Sequence, residues 1–128
     1  MIKEVICTGT SSANTERLAR LCNLTDEHYR LILSVAGWLD CDIMHHAHTL
    51  LRNIDPTMEG FQRPTLGPCR NLGTVSGQFI QVLHTRNWHW VCASTVRNDD
   101  GNVDLYDSLF HNVIENEVEE QVKNLVGI

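Results

Sequence analysis

Between residues 38 and 51, apolar side chains recur at spacings of three and four residues, which is the period of a helix with one buried face. The apolar positions are Leu39, Ile43, Met44, Ala47, Leu50 and Leu51. Asp40 or Asp42 is placed to cap the N-terminus of this helix. Thr25-Asp26-Glu27 provides a second helix start upstream. The pattern therefore predicts two helices in this part of the chain.

After residue 77 the pattern becomes that of strands. Runs rich in β-branched and aromatic residues, separated by short polar stretches, predict an antiparallel meander over residues 78–84, 89–96 and 103–107. A last helix follows, with Asn112 and Glu115 as a capping-box-like start and Gly127 as the C-terminal cap. Its buried stripe is predicted to be Val118, Val122, Leu125 and Val126.

Residues 53–77 contain all three prolines and four of the eight glycines, so we predict a long connection that crosses a face of the domain. The first 12 residues are typical of a weak strand or an arm followed by a loop. We therefore divide the chain into an N-terminal arm of uncertain order, 1–23, and one α+β domain, 24–128.

The composition excludes several classes of protein. Of the 128 residues, 42% are hydrophobic and 20% are charged, which is typical of one globular domain. A formal net charge of -6 argues against nucleic-acid and membrane-surface partners, because proteins bind both through clustered Lys and Arg. The sequence has no apolar run of ~18 residues and no secretory leader pattern. Five cysteines without a C-x-x-C pair indicate reduced thiols, so we expect an intracellular protein of the nucleus or cytoplasm.

The densest group of histidines is His45, His46 and His48. His45 and His48 lie on the same side of a helix and could share a metal ion. The sequence indicates neither further ligands nor the outer groups that fix a ligating ring. The alternative is a solvated helix face. We therefore predict no metal site and no cofactor.

A second group combines His89 with Asp107. The histidine opens one predicted strand and the aspartate ends the next, so the two can face each other across a hairpin, where opposed side chains come within about 5 Å. The carboxylate would fix the imidazole tautomer while the ring takes a proton from a nucleophile. The alternative is a packed or interface histidine flanked by two tryptophans.

The register of the hairpin decides whether this pair forms. A two-residue turn at 100–101 would pair Asp107 with Ser94 and leave it about 17 Å from His89. A turn centred near Asn98, with the following glycine absorbed as a bulge, sets Asp107 beside His89. We expect the second register.

Several segments together carry a resemblance: Trp38-Leu39 at a helix start, Ile43-Met44, Ala47 and Leu50-Leu51 along that helix, residues 79–84, His89-Trp90-Val91 and Tyr106-Asp107-Ser108. The chain resembles, over roughly residues 24 to 126, the ubiquitin-like-protein (SUMO) proteases of the Ulp type. It is most similar to the divergent Ulp-like domains of animal genomes. The resemblance implies a partial papain-like, Ulp-type fold with a meander packed against helices.

The resemblance assigns roles to four residues. His89 corresponds to the catalytic base of the family, and Asp107 corresponds to the residue that orients the base. Trp38 and Trp90 correspond to the walls of a narrow tunnel that admits the Gly-Gly tail of the substrate, because only glycine lacks a side chain. For both tryptophans the alternative is core packing. The implied partner is the C-terminal tail of a ubiquitin-like protein of the SUMO or ubiquitin class.

The chain departs from the family at the nucleophile. The family order is His, Asp, an oxyanion-hole Gln and then Cys, and the sequence ends before the last two. Gln121 lies within the final helix and is not accepted as the oxyanion donor. Cys92 is three residues from His89 on one strand and points to the opposite face. Cys41 is the alternative nucleophile, because a helix N-terminus would lower the pKa of its thiol and because Cys, His, Asp is the chain order of papain-like enzymes. The family, however, has a helix-capping Asp at this position.

We therefore expect a cysteine-type peptidase domain that is inactive in this chain, since loss of the nucleophile costs a triad about six orders of magnitude in turnover. The alternatives are a non-catalytic module that binds a ubiquitin-like tail, or a gene-model fragment without independent function. Absence of the nucleophile-bearing helix would also uncover apolar surface on the meander and the last helix, which predicts self-association.

Overall fold

The computed structural model describes residues 2–6 by their backbone, and residues 25–34, 39–85 and 89–128 in full. Within these ranges the chain forms three α-helices and a five-stranded sheet, so the predicted α+β class is confirmed. No helix in the described part combines the length and the apolar content that crossing a membrane requires.

One mixed sheet forms the centre of the fold. Its strands are β1 (Ile2–Ile6), β2 (Glu59–Gly60), β3 (Phe79–His84), β4 (Trp90–Ser94) and β5 (Val103–Tyr106), in the order β1-β5-β4-β3-β2. The predicted antiparallel meander is confirmed in β3, β4 and β5. At the two edges, β1 is parallel to β5 and β2 is parallel to β3. The start of the predicted N-terminal arm is therefore an edge strand.

Two helices precede the meander. α1 (Asp26–Leu33) is capped by Thr25, whose hydroxyl accepts a hydrogen bond from the His28 amide at 3.3 Å. α2 (Cys41–Ile54) is capped by Asp40, whose carboxylate accepts a backbone amide hydrogen bond at 2.8 Å. Asp40 is therefore the correct one of the two predicted caps, and the helix begins at residue 41 rather than at residue 38.

The third helix, α3 (Asn116–Val126), follows β5 after an irregular segment. The predicted capping box of Asn112 with Glu115 is wrong. Glu115 itself is the N-cap and makes no side-chain capping hydrogen bond, while Asn112 lies further upstream with a φ of 66°. The predicted C-terminal cap is confirmed at Gly127, whose φ of 80° is the left-handed conformation that closes a helix.

The main core lies between α3 and one face of the sheet. Val118, Val122 and Leu125 are buried there, as predicted, and Val126 is partly buried against the same cluster. The sheet contributes alternate residues of its central strands, namely Phe79, Leu83, Val91, Ala93, Val103 and Leu105. These two apolar faces cover each other. The expectation that the meander and the last helix are left uncovered is therefore wrong for this face of the sheet.

The connection between α2 and β3 is tied to α3. It contains one 3-10 turn, Pro64–Leu66. The guanidinium of Arg70 donates to both carboxylate oxygens of Glu117, at 2.9 and 3.0 Å. Gly67 lies so close to Gln121 that a side-chain carbon at position 67 would sit 2.1 Å from Gln121 Oε1. These contacts fix the first turns of α3 against the connection.

Candidate functional site

His89 and Asp107 lie at the same end of the sheet, immediately before β4 and immediately after β5. His89 Nε2 and Asp107 Oδ1 are 2.5 Å apart, and each side chain is 19% exposed. An imidazole and a carboxylate at this distance are hydrogen-bonded. The structure therefore brings the two predicted residues together.

The strand register explains how the pair forms. Ala93 faces Leu105 across the ladder between β4 and β5. Two residues further along, Asp107 comes opposite Val91. His89 is then the diagonal neighbour of Asp107 on the same face of the sheet, within reach of a long side chain.

The turn between β4 and β5 sets this register. The Asn98 amide donates to the Thr95 carbonyl at 2.9 Å, and Gly101 has a φ of 78°. The two-residue turn at 100–101 is excluded by the observed pairing. The expected register, with its turn centred near Asn98, is shifted from the observed pairing of β4 with β5 by no more than two residues. Both registers bring Asp107 to His89.

Asp107 is held by the backbone that follows it. Its Oδ1 also accepts a hydrogen bond from the Leu109 amide at 2.9 Å, in the i to i+2 pattern of an Asx turn. With the carboxylate on Nε2, the neutral His89 ring keeps its proton on Nε2 and leaves Nδ1 as an acceptor. When Nδ1 takes up a proton, both ring nitrogens carry hydrogen and Nε2 still donates to Asp107. This arrangement is suited to a general base.

A cleft of about 20 Å³ adjoins the pair, which is room for about one water molecule. Its apolar walls come from β5, from α3 and from the segment between them, namely Leu105, Phe110, Val113, Ile114 and Val118. Leu109 and Val113 of that segment are 59% and 76% exposed. This wall was not predicted, although the four apolar residues between positions 109 and 114 were a usable signal.

Trp90 is held by two contacts. Its indole Nε1 donates to the Leu39 carbonyl at 3.1 Å, and its ring centroid lies 4.4 Å from that of His84. Because successive residues of a strand point to opposite faces, Trp90 and His89 lie on different faces of the sheet. Trp38, the other predicted tunnel wall, lies outside the described residues. The described part of the chain thus contains one of the two predicted aromatic walls.

Two described cysteines are poor candidates for a nucleophile. Cys41 is the first residue of α2, yet the pKa of its thiol is raised, mainly by burial and further by Asp40 and Asp42. The expected lowering is therefore wrong, because burial and two flanking carboxylates outweigh the helix dipole. Burial raises the pKa of the Cys92 thiol to about 11, and Cys92 points to the face away from His89.

The histidines of α2 have different surroundings. His48 is only 1% exposed and packs against Phe61, with ring centroids 5.6 Å apart, so the expected solvated face is wrong at this residue. His46 lies against His28 of α1, with ring centroids 5.7 Å apart. Among the residues that the structure describes, no three His, Cys, Asp or Glu side chains are grouped so that they could hold a metal ion.

No protein-family model, curated protein or solved structure matches the chain. A function is therefore inferred from the His89–Asp107 geometry together with the resemblance of the sequence. The geometry defines an imidazole and carboxylate pair beside a small apolar cleft.

Proposed function

We propose that the chain carries the base and the orienting residue of a Ulp-like cysteine-type peptidase domain with a papain-like fold. In such a domain His89 would activate a thiol, and the reaction would cleave the bond after the Gly-Gly tail of a ubiquitin-like modifier. The 2.5 Å contact between His89 Nε2 and Asp107 Oδ1 is the observation that supports this proposal. The antiparallel ladder that carries both residues supports it as well.

Proton transfer would take place at His89 Nδ1, because Asp107 occupies Nε2. The thiol would lose its proton to Nδ1, which leaves a thiolate beside an imidazolium. The thiolate would attack the carbonyl carbon of the terminal glycine, and the imidazolium would return the proton to the leaving amine. Water would then hydrolyse the thioester, with the same imidazole as base.

The thiol is not assigned to a described cysteine. The raised pKa values of Cys41 and Cys92 keep both thiols protonated near neutral pH. Cys69 is exposed and is not among the described residues that line the cleft. We therefore infer that this chain does not turn over substrate with Cys41, Cys69 or Cys92.

A non-catalytic module that binds the same tail is the second candidate. Trp90 favours it, because the Leu39 carbonyl and the His84 ring hold the indole in one position. A preorganised aromatic side chain loses little conformational entropy on binding. The partner would again be a Gly-Gly-ended protein of the SUMO or ubiquitin class.

Intact-mass spectrometry tests the placement of the nucleophile. The full chain is incubated with ubiquitin and with SUMO that carry an electrophile at the C-terminal glycine, and unmodified modifiers serve as controls. We expect no adduct with the described cysteines. An adduct mapped to Cys41, Cys69 or Cys92 would contradict the inference that these thiols are not the nucleophile.

Binding tests the substrate class. The ¹⁵N-labelled chain is titrated with ubiquitin or SUMO ending in Gly-Gly, and with the same modifier lacking both glycines. We expect shifts of the His89 and Trp90 side-chain signals only with the intact tail, and loss of the binding in Trp90→Ala. A folded chain that does not distinguish the intact from the shortened tail would contradict both candidates.

A further inference from the structure

A second cavity, of about 380 Å³, is formed where β3 begins, β4 ends and α3 ends. Residues 75–78 and 98–101 are its two loops, and its volume falls within the roughly 300 to 1,000 Å³ of small-molecule sites. Thr95, on its wall, is six residues from His89 along the chain, which is about 20 Å in a strand. The cavity is therefore separate from the His89–Asp107 pair.

Three backbone donors around this cavity are already used. The amides of Ser76 and Gly77 donate to the Glu59 carboxylate at 2.7 and 3.2 Å. The Phe79 amide donates to Thr95 Oγ1 at 3.1 Å. An anionic ligand would have to displace a carboxylate of the protein itself from the first of these loops. The cavity is therefore poorly suited to a phosphate or a carboxylate.

The remaining groups favour a cation. Asp99 contributes an exposed carboxylate, and the described residues that line the cavity include no Lys, Arg or His. Val126 lies at the C-terminal end of α3, where the helix dipole is negative. Val75 and Val126, both partly buried, add apolar surface that suits the methylene groups of an alkyl chain.

Glycines leave the cavity accessible. A side-chain carbon at Gly101 would meet no atom within 4 Å. On the opposite loop, a side-chain carbon at Gly77 would be 3.7 Å from the nearest atom, a carboxylate oxygen of Glu59. The loop that contains Gly101 therefore leaves room for a ligand to approach Asp99.

We propose that this cavity binds an organic ammonium ion, either a free alkyl diamine or the side chain of a lysine. The ammonium group pairs with the Asp99 carboxylate, and the alkyl chain lies against Val75 and Val126. This site is independent of the His89–Asp107 pair and of the function proposed for it.

An NMR titration of the full ¹⁵N-labelled chain tests the proposal. The probes are 1,4-diaminobutane and N-acetyl-lysine methylamide, one for each source, with butanol and butyrate as neutral and anionic controls. We expect both ammonium probes to shift the amide signals of residues 75–79 and 98–101. Asp99→Asn should raise both Kd values about fivefold, and added salt should also weaken binding.

Glu27→Gln is the matched control, because it removes one exposed negative charge from α1 and should leave both Kd values unchanged. Tighter binding of the lysine derivative supports a peptide as the source, and tighter binding of the diamine supports a free amine. Equal shifts with butyrate, the absence of shifts in the two loops, or an unchanged Kd in a folded Asp99→Asn variant would overturn the proposal.

Discussion

Asp107 Oδ1 accepts hydrogen bonds from two donors, the Leu109 amide at 2.9 Å and His89 Nε2 at 2.5 Å. The backbone amide holds the carboxylate where it reaches the ring, and the carboxylate determines which ring nitrogen carries the proton. Both side chains of the pair remain 19% exposed, so hydrogen bonds rather than complete burial hold them in position.

Replacement of Asp107 by Asn should change the tautomer of His89. In the wild type we expect neutral His89 to carry its proton on Nε2, because an ionised carboxylate only accepts hydrogen bonds. An amide at position 107 can also donate, so Asp107→Asn should abolish this preference. Long-range ¹H–¹⁵N correlation of the imidazole measures the tautomer, with Asp99→Asn as the control. A wild-type ring protonated on Nδ1 would contradict the observed arrangement.

Apolar periodicity was sufficient to predict the elements that bury one face. Val118, Val122 and Leu125 were assigned to the core from their spacing alone, because a helix that covers a sheet needs this stripe. The meander was predicted from runs rich in β-branched and aromatic residues, and the expected register was the one that brings Asp107 to His89. These features are encoded locally.

Features that depend on contacts between distant segments were not predicted. Glu115, rather than Asn112, is the N-cap of α3, and the sequence pattern does not show where the segment between β5 and α3 ends. The pKa of Cys41 is raised rather than lowered, mainly by burial. The parallel pairing of β1 with β5 joins residues about a hundred positions apart, which no local pattern encodes.

Replacement of Gly67 by Ala should destabilise the fold by steric conflict. The new carbon would lie 2.1 Å from Oε1 of Gln121, which is fully buried, and Gln121 Nε2 is already bonded to the His84 carbonyl and to Glu117. We expect Gly67→Ala to lower the free energy of unfolding by about 1 to 3 kcal/mol, as measured by urea denaturation.

A double-mutant cycle identifies the cause of that loss. In a Gln121→Ala background, Gly67→Ala should cost at least ~1 kcal/mol less, because the opposing side chain is gone. Gly77→Ala is the control, since its new carbon would be 3.7 Å from the nearest atom, which is ordinary van der Waals contact. Strictly additive effects of the two substitutions would rule out the proposed conflict between positions 67 and 121.

The three described cysteines should differ in reactivity. At about pH 8, a thiol with a pKa of about 11, such as that of Cys92, is thiolate in roughly one molecule in a thousand. Cys69 is exposed, and Cys41 is half-buried with a raised pKa. Pulse alkylation with iodoacetamide, followed by peptide mapping, should label Cys69 first, then Cys41 and last Cys92. In concentrated urea the three rates should converge, and a Cys92 that reacts as fast as Cys69 in the folded chain would contradict its burial.

Acid should destabilise the fold through His48. Burial lowers the pKa of this imidazole from its ordinary 6.5 to about 4, so between these values the unfolded chain binds more protons than the folded one. The free energy of unfolding should therefore fall as the pH falls from about 6.5 to about 4, by roughly 3 kcal/mol from this residue.

His48→Phe tests this source of the pH dependence. The substitution keeps a ring against Phe61 and should make the free energy of unfolding depend less on pH, as measured by urea denaturation across this range. Some slope should persist, because burial also lowers the pKa values of His45 and His84. An equally steep dependence in His48→Phe would show that the buried imidazole is not its source.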